Sequence, residues 1–228
     1  MKINLQTPAF LLIVIIISSC ISQNTVNHFP VPESGIYEAE KPVPVERENI
    51  IETKSGAVGS IPLWLSAYLD GGIEAVEKLE AYSNKFVFIA INEGVNFTAL
   101  KRWEDFFSTS YDFPVLAAVR IERRMYLTAS LYPDDEYGAF FETMTKNAYR
   151  GIYPGILKED TYWIKARTNN DNIQPLEEYI FFILVTADRT LMQNYVRNMM
   201  SVTVSSVTLT AAQNSAVNRL RQTFFEGF

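Results

Sequence analysis

The chain has 228 residues, 48% of them hydrophobic, 13% aromatic and 20% charged, and its 20 Lys and Arg against 26 Asp and Glu give a formal net charge of −6. That is enough chain to bury its own core, and an acidic balance without a Lys/Arg block excludes a binder of the phosphate backbone, so no nucleic-acid partner is expected. A single Cys and a single His exclude a disulfide framework and a Cys/His zinc site; with no phosphate loop, dinucleotide fingerprint or Gly-x-Ser-x-Gly elbow, neither a metal nor a cofactor is expected.

The first segment carries Lys2, an unbroken apolar run over residues 9–17 (AFLLIVIII) and then Ser18-Ser19-Cys20. Such a run rises only about 14 Å as a helix against a hydrocarbon core of about 30 Å, which predicts a signal-peptide core and not a finished membrane span. The string Ile17-Ser18-Ser19-Cys20 resembles the lipobox of bacterial lipoproteins: a branched aliphatic, two small residues, then Cys. The resemblance implies that residues 1–19 are a lipoprotein signal peptide, that the Cys20 thiol takes a diacylglycerol, and that the new amino terminus is acylated, commonly with palmitate. Several acyl chains at about 0.8 kcal/mol per buried methylene would hold the mature chain to membrane lipid permanently. Ile21, rather than Asp, follows the lipidated Cys, and by analogy with sorting in enteric bacteria this implies the outer membrane.

Residues 20–55 change in composition: polar residues come first, then Pro30, Pro32, Pro42 and Pro44, four of the chain's ten prolines, with few large apolar residues. A segment that buries so little cannot offset its ordering entropy, so it is predicted to be a semi-extended tether. His28, the one histidine, falls there and is expected to have no catalytic part.

A single domain is predicted over residues 56–228. Leu65, Leu69, Ile73, Val76 and Leu79 recur at three- and four-residue intervals, a helix after Pro62 with a weak point at Gly71-Gly72. Lys85 to Asn92 (KFVFIAIN) has no polar face and reads as a strand covered on both sides. Asn96 is placed to cap a helix through Leu100, Trp103, Phe106 and Phe107. Asp112-Phe113-Pro114 ends it and opens another through Val115, Leu116, Val119 and Ile121 toward Leu131, where irregular spacing leaves a strand as the alternative.

After Pro133, Asp134-Asp135-Glu136 reads as the acidic first turn of an amphipathic helix through Tyr137, Phe140, Phe141, Met144 and Ala148. Residues 162–167 alternate, with Tyr162, Ile164 and Ala166 on one face and Trp163, Lys165 and Arg167 on the other, wetter one. Residues 179–185 (YIFFILV) read as a second wholly apolar strand, and the strand 177–185 is joined to 162–167 through Asn169-Asn170-Asp171-Asn172 and Pro175 as an antiparallel hairpin. Met192, Tyr195, Val196 and Met199 resume helical spacing; residues 202–209, rich in β-branched side chains, are left unassigned; and Thr210 with Gln213 reads as a capping box opening a last helix through Phe224. The terminal aromatics Phe224, Phe225 and Phe228 are expected to dock that helix or meet a partner.

The order predicts an α+β fold: a small sheet of about three strands including the hairpin, with the first strand joined by a crossover and several helices packed on it. Pro62-Leu63-Trp64 after a linker, a buried strand before a long helical stretch, then a two-strand unit and a terminal helix resembles the small outer-membrane lipoproteins associated with flagella and cell surfaces. That likeness carries over no catalytic residue.

Three constellations carry what chemistry there is. Asp134, Asp135 and Glu136 have the ligands for a hard cation, although a helix start explains all three. Arg120, Arg123 and Arg124 suit phosphate or carboxylate, although with Glu122 between them they also read as a solvated face. Glu93 follows a buried strand and precedes a helix, a position where catalytic or ligand-binding carboxylates stand in α/β proteins, although a loop carboxylate near a helix start explains it too; the tryptophans read as core, with Trp163 on the polar side of its strand a candidate ligand or partner contact. The function expected is a non-enzymatic structural or assembly module of the bacterial cell envelope, with other envelope proteins as partners. A small-ligand-binding module is the alternative. The third reading is a cell-wall glycan hydrolase, which needs two carboxylates facing across about 5–9.5 Å.

Overall fold

The computed structural model describes residues 37–38, 45, 47–56, 60–168 and 176–228. Its organising element is the run KFVFIAIN, which lies in strand β3 (Lys85–Gly94), numbered after the two short strands β1 (Tyr37–Glu38) and β2 (Ile50–Thr53). Phe86, Phe88 and Ala90 enter one hydrophobic core while Val87, Ile89 and Ile91 enter another on the opposite face. The run has no polar face because both faces are covered.

The sheet is completed by β4 (Ile156–Thr168) and β5 (Leu176–Asp188), in the order β1-β3-β5-β4-β2 with every neighbouring pair antiparallel. Phe182 of β5 lies opposite both Ile91 and Tyr162, and β5 alternates like β3: Ile183, Val185 and Ala187 to one core, Ile180, Phe182 and Leu184 to the other. On one face sits α1 (Leu63–Glu77), through Trp64, Leu65, Tyr68, Ile73 and Val76. The larger core on the other face is built with α3 (Phe113–Ala129), α4 (Phe140–Tyr149), α5 (Arg189–Ser206) and α6 (Ala211–Phe224), and α2 (Phe97–Phe106) joins that side through Trp103. The α+β class, the antiparallel hairpin and the crossover are therefore as expected: β3 and β4 both run antiparallel to β5, and α2 to α4 connect them. The sheet has two short edge segments beyond the three long strands. The link residues Asn169 to Pro175 lie outside the described residues. Among the described residues no helix is long and apolar enough to cross a membrane.

Local signals place several boundaries. Asn96 Oδ1 accepts the Ala99 amide, and Thr210 and Gln213 form the reciprocal capping box. Gly71 and Gly72 break α1, Gly72 with φ +70°, a value that favours glycine.

Two expectations are corrected and one unassigned stretch is placed. The tether expected to reach residue 55 contains two strand segments: β1 pairs with β3 and β2 with β4, and Ile50 and Thr53 are buried. Asp134, Asp135 and Glu136 are not a first turn, since α4 starts at Phe140; Asp135 instead accepts a forked contact from Arg219 on α6. The unassigned stretch 202–209 belongs mostly to α5, where hydroxyls bond the preceding turn (Thr203 Oγ1 to the Met199 carbonyl, 2.8 Å) and Met199, Met200 and Thr203 are buried. Packing overrides the modest helix penalty of β-branched residues there.

Candidate functional site

The arginine run of α3 does not converge. Arg120 Nη1 donates to the Val87 carbonyl at 3.0 Å and pairs with Glu77 Oε1 at 3.0 Å, while its guanidinium lies 4.7 Å from the Phe86 ring centre and 5.3 Å from that of Phe88. Arg189 meets the other oxygen of Glu77 at 3.1 Å, donates to the Lys85 carbonyl and lies 4.2 Å from the same Phe86 ring. Glu77 also accepts the Val87 amide at 3.0 Å. Arg124 turns elsewhere, donating to the Phe224 and Thr223 carbonyls at the end of α6, where a cation complements the helix dipole. Arg123 is exposed. The solvated-face reading is thus corrected for Arg120 and Arg124, whose forks hold backbone carbonyls within the fold. Glu93 is exposed near the end of β3, opposite Ile180.

Trp163 is half-buried, not on an open wet face. It stacks on Phe181 with centroids 6.2 Å apart and meets the edges of Phe97 and Tyr179 at 5.2 and 5.8 Å. Phe97, the first residue of α2, covers this cluster; beside it Lys165 and Arg167 both pair with Glu177. Cys20 and His28 lie outside the described residues. Phe228 docks inward, 5% exposed, against Phe86 and Phe224.

Two groupings escape a reading of the sequence. The first is a bulge in β4, where the register shifts between Lys158 and Asp160 and alternation fails. Glu159 accepts Lys85 Nζ at 2.5 Å and Thr186 Oγ1 at 2.7 Å, bonds that hold its carboxyl below the ordinary range. Asp160 accepts Trp64 Nε1 at 2.8 Å. Burial, with these two carboxylates behind it, raises the Tyr82 phenol. Both acids are bound to fold-forming donors, which accounts for them structurally.

The second is a groove of about 660 Å³ lined by Arg197 and Met200 of α5, Asn218, Arg221 and Gln222 of α6, and Phe225. The Arg197 guanidinium lies 4.1 Å from the Phe225 ring centre, and Arg221 Nη2 donates to Ser201 Oγ at 2.8 Å. The two arginines stand 24 positions apart on helices that only the tertiary fold brings together, so no short motif announces them. Among the described residues no group of three or more His, Cys, Asp or Glu is placed to hold a metal ion. Comparison with protein-family models, curated proteins and solved structures returns no significant match for this chain.

Proposed function

We propose that the chain is a lipid-anchored lipoprotein of the bacterial cell envelope, held through Cys20 at the outer membrane, whose α+β unit serves a non-enzymatic structural or assembly role. The observation that carries the reading is the string Ile17-Ser18-Ser19-Cys20 after an apolar run too short to span a bilayer. Cys20 is the only cysteine in the chain, and it stands where a lipobox requires one.

The fold adds support of a different kind. Arg120, Arg124, Glu159 and Asp160 are each held by donors or acceptors of the fold. The surface carries large apolar side chains instead: Phe106, Tyr111 and Ile152 are 82%, 83% and 88% exposed. Exposed aromatic and aliphatic groups of this size suit contact with other proteins better than chemistry. The resemblance to flagellum- and surface-associated lipoproteins points the same way.

The test is replacement of Cys20 by Ser in a bacterial host fed radioactive palmitate. The expected result is an unlabelled precursor that retains its leader; full labelling of that variant rejects the anchor. A small-ligand-binding role, the second reading, is favoured by the Arg197–Arg221 groove alone.

A further inference from the structure

We propose that the groove between α5 and α6 is a binding site for a phosphate ester, with Arg197 and Arg221 as its paired cations. Among the described residues neither guanidinium is held by a carboxylate, in contrast to Arg120, Arg167, Arg189 and Arg219. In a chain with formal net charge −6 acids outnumber cations, and Arg47, Lys85 and Lys165, like the four arginines just named, each pair with one. Arg197 and Arg221 have no such partner among the described residues, and they line one depression together. Glu226 also lines the groove, so its local balance is two positive charges to one negative.

Both cations are held in place. Arg197 lies against the Phe225 ring, and Arg221 is tied to Ser201 through one nitrogen, which leaves its remaining N–H groups to a ligand. Asn218 and Gln222, four residues apart on α6, add side-chain amides on the same wall. This donor set exceeds what the two oxygens of a carboxylate can accept and matches the several non-bridging oxygens of a phosphate. The end of a helix ordinarily repels an anion, yet here the Thr223 and Phe224 carbonyls of α6 are occupied by Arg124. Met200 and the Phe225 ring form an apolar floor, which calls for an organic group on the phosphate rather than the bare ion. The same chemistry belongs to a phospholipid headgroup and to a soluble phosphate ester.

The experiment follows the Nε–H resonances of Arg197 and Arg221 by ¹⁵N NMR, with the full-length chain in phospholipid nanodiscs at fixed ionic strength. Glycerol 3-phosphate is titrated in discs of phosphatidylcholine, with acetate as the control, and a second sample uses discs containing phosphatidylglycerol. The expected result is a saturable shift of both resonances with a phosphate ester, at least about tenfold tighter than with acetate, and a loss of about tenfold or more in affinity in Arg197→Gln and in Arg221→Gln. A shift seen only in phosphatidylglycerol discs identifies a headgroup as the source; saturation by glycerol 3-phosphate in plain discs identifies a soluble ester. Unchanged far-UV circular dichroism in the variants, and partial retention of affinity in Arg197→Lys, separate a lost ligand contact from a lost fold. The proposal is overturned if neither probe gives a saturable shift, if acetate matches the phosphate ester, or if both Gln variants bind as tightly as the parent.

Discussion

Replacing Arg120 by Met, set beside the same change at Arg123, separates an arginine that holds the sheet's backbone from an exposed one on the same helix. The substitution keeps most of the apolar stem but removes the donor to the Val87 carbonyl, one arm of the Glu77 pair and the cation over Phe86 and Phe88. Both side chains of the pair are only 16% exposed, so the interaction is poorly screened. A buried carbonyl left without its donor costs about 1–3 kcal/mol, and the cation–ring contact adds about 0.5–1 kcal/mol. Glu77 retains Arg189 and the Val87 amide, so the full penalty for an abandoned buried charge, about 3–5 kcal/mol, is not reached. The expected loss is about 2–4 kcal/mol, which moves the urea midpoint by roughly 1–2 M at a slope of about 2 kcal/mol per M. Arg123→Met, three residues on and exposed, should change stability by no more than about 0.5 kcal/mol. The assay is equilibrium urea denaturation of the full chain followed by tryptophan fluorescence, with Glu77→Gln added to each variant to measure coupling. If Arg120→Met and Arg123→Met fall within about 0.5 kcal/mol of each other, the structural role given to Arg120 is wrong.

Deleting residues 47–54 removes β2, the buried Ile50 and Thr53, and the bonds from Lys54 to the Thr161 and Trp163 carbonyls. The melting temperature should fall by about 6–12 °C, taking about 3 kcal/mol lost and about 2–4 °C per kcal/mol; an unchanged melt by circular dichroism would restore the tether boundary at residue 55. Because Lys85 and Thr186 depress the Glu159 carboxyl in the folded state, its contribution to stability is present above the ordinary carboxylate value, about 4.3, and is lost as pH falls through the lower folded value. Lys85→Met should therefore flatten the fall in urea midpoint below that pH, and a profile parallel to the parent's would show that this pair does not titrate as described.

How much was legible from the sequence depended on whether a signal was local. Lys85 to Asn92 and the apolar half of β5 declare themselves because a strand buried on both faces needs no polar position, and Asn96, Thr210 and Gln213 do so because a cap is satisfied within four residues. Strand β2 was missed because four residues with one outward Glu carry no periodicity; the pairing with β4 makes them a strand. Asp134 to Glu136 misled because a carboxylate cluster before an apolar run looks the same whether it serves a helix dipole or, as Asp135 does, an arginine 84 positions away. The Arg120 to Arg124 run misled for the related reason that α3 sends Arg120 to β3 and Arg124 to the end of α6. The α5–α6 groove has no local signal at all.

The bonds around Val87 bear on what the chain does in company. In an antiparallel ladder alternate residues turn their backbone groups outward, and a long strand at the side of a sheet is a template for another chain. Among the described residues, β1 pairs with Ala90 and Ile91 of β3. At the other end the outward Val87 amide and carbonyl and the Lys85 carbonyl are already taken, by Glu77, Arg120 and Arg189. A foreign strand would have to displace three charged side chains to dock there and would leave them desolvated. The ion-pair cluster thus acts as a guard on the sheet margin, occupying by side chains the outward backbone groups of Lys85 and Val87.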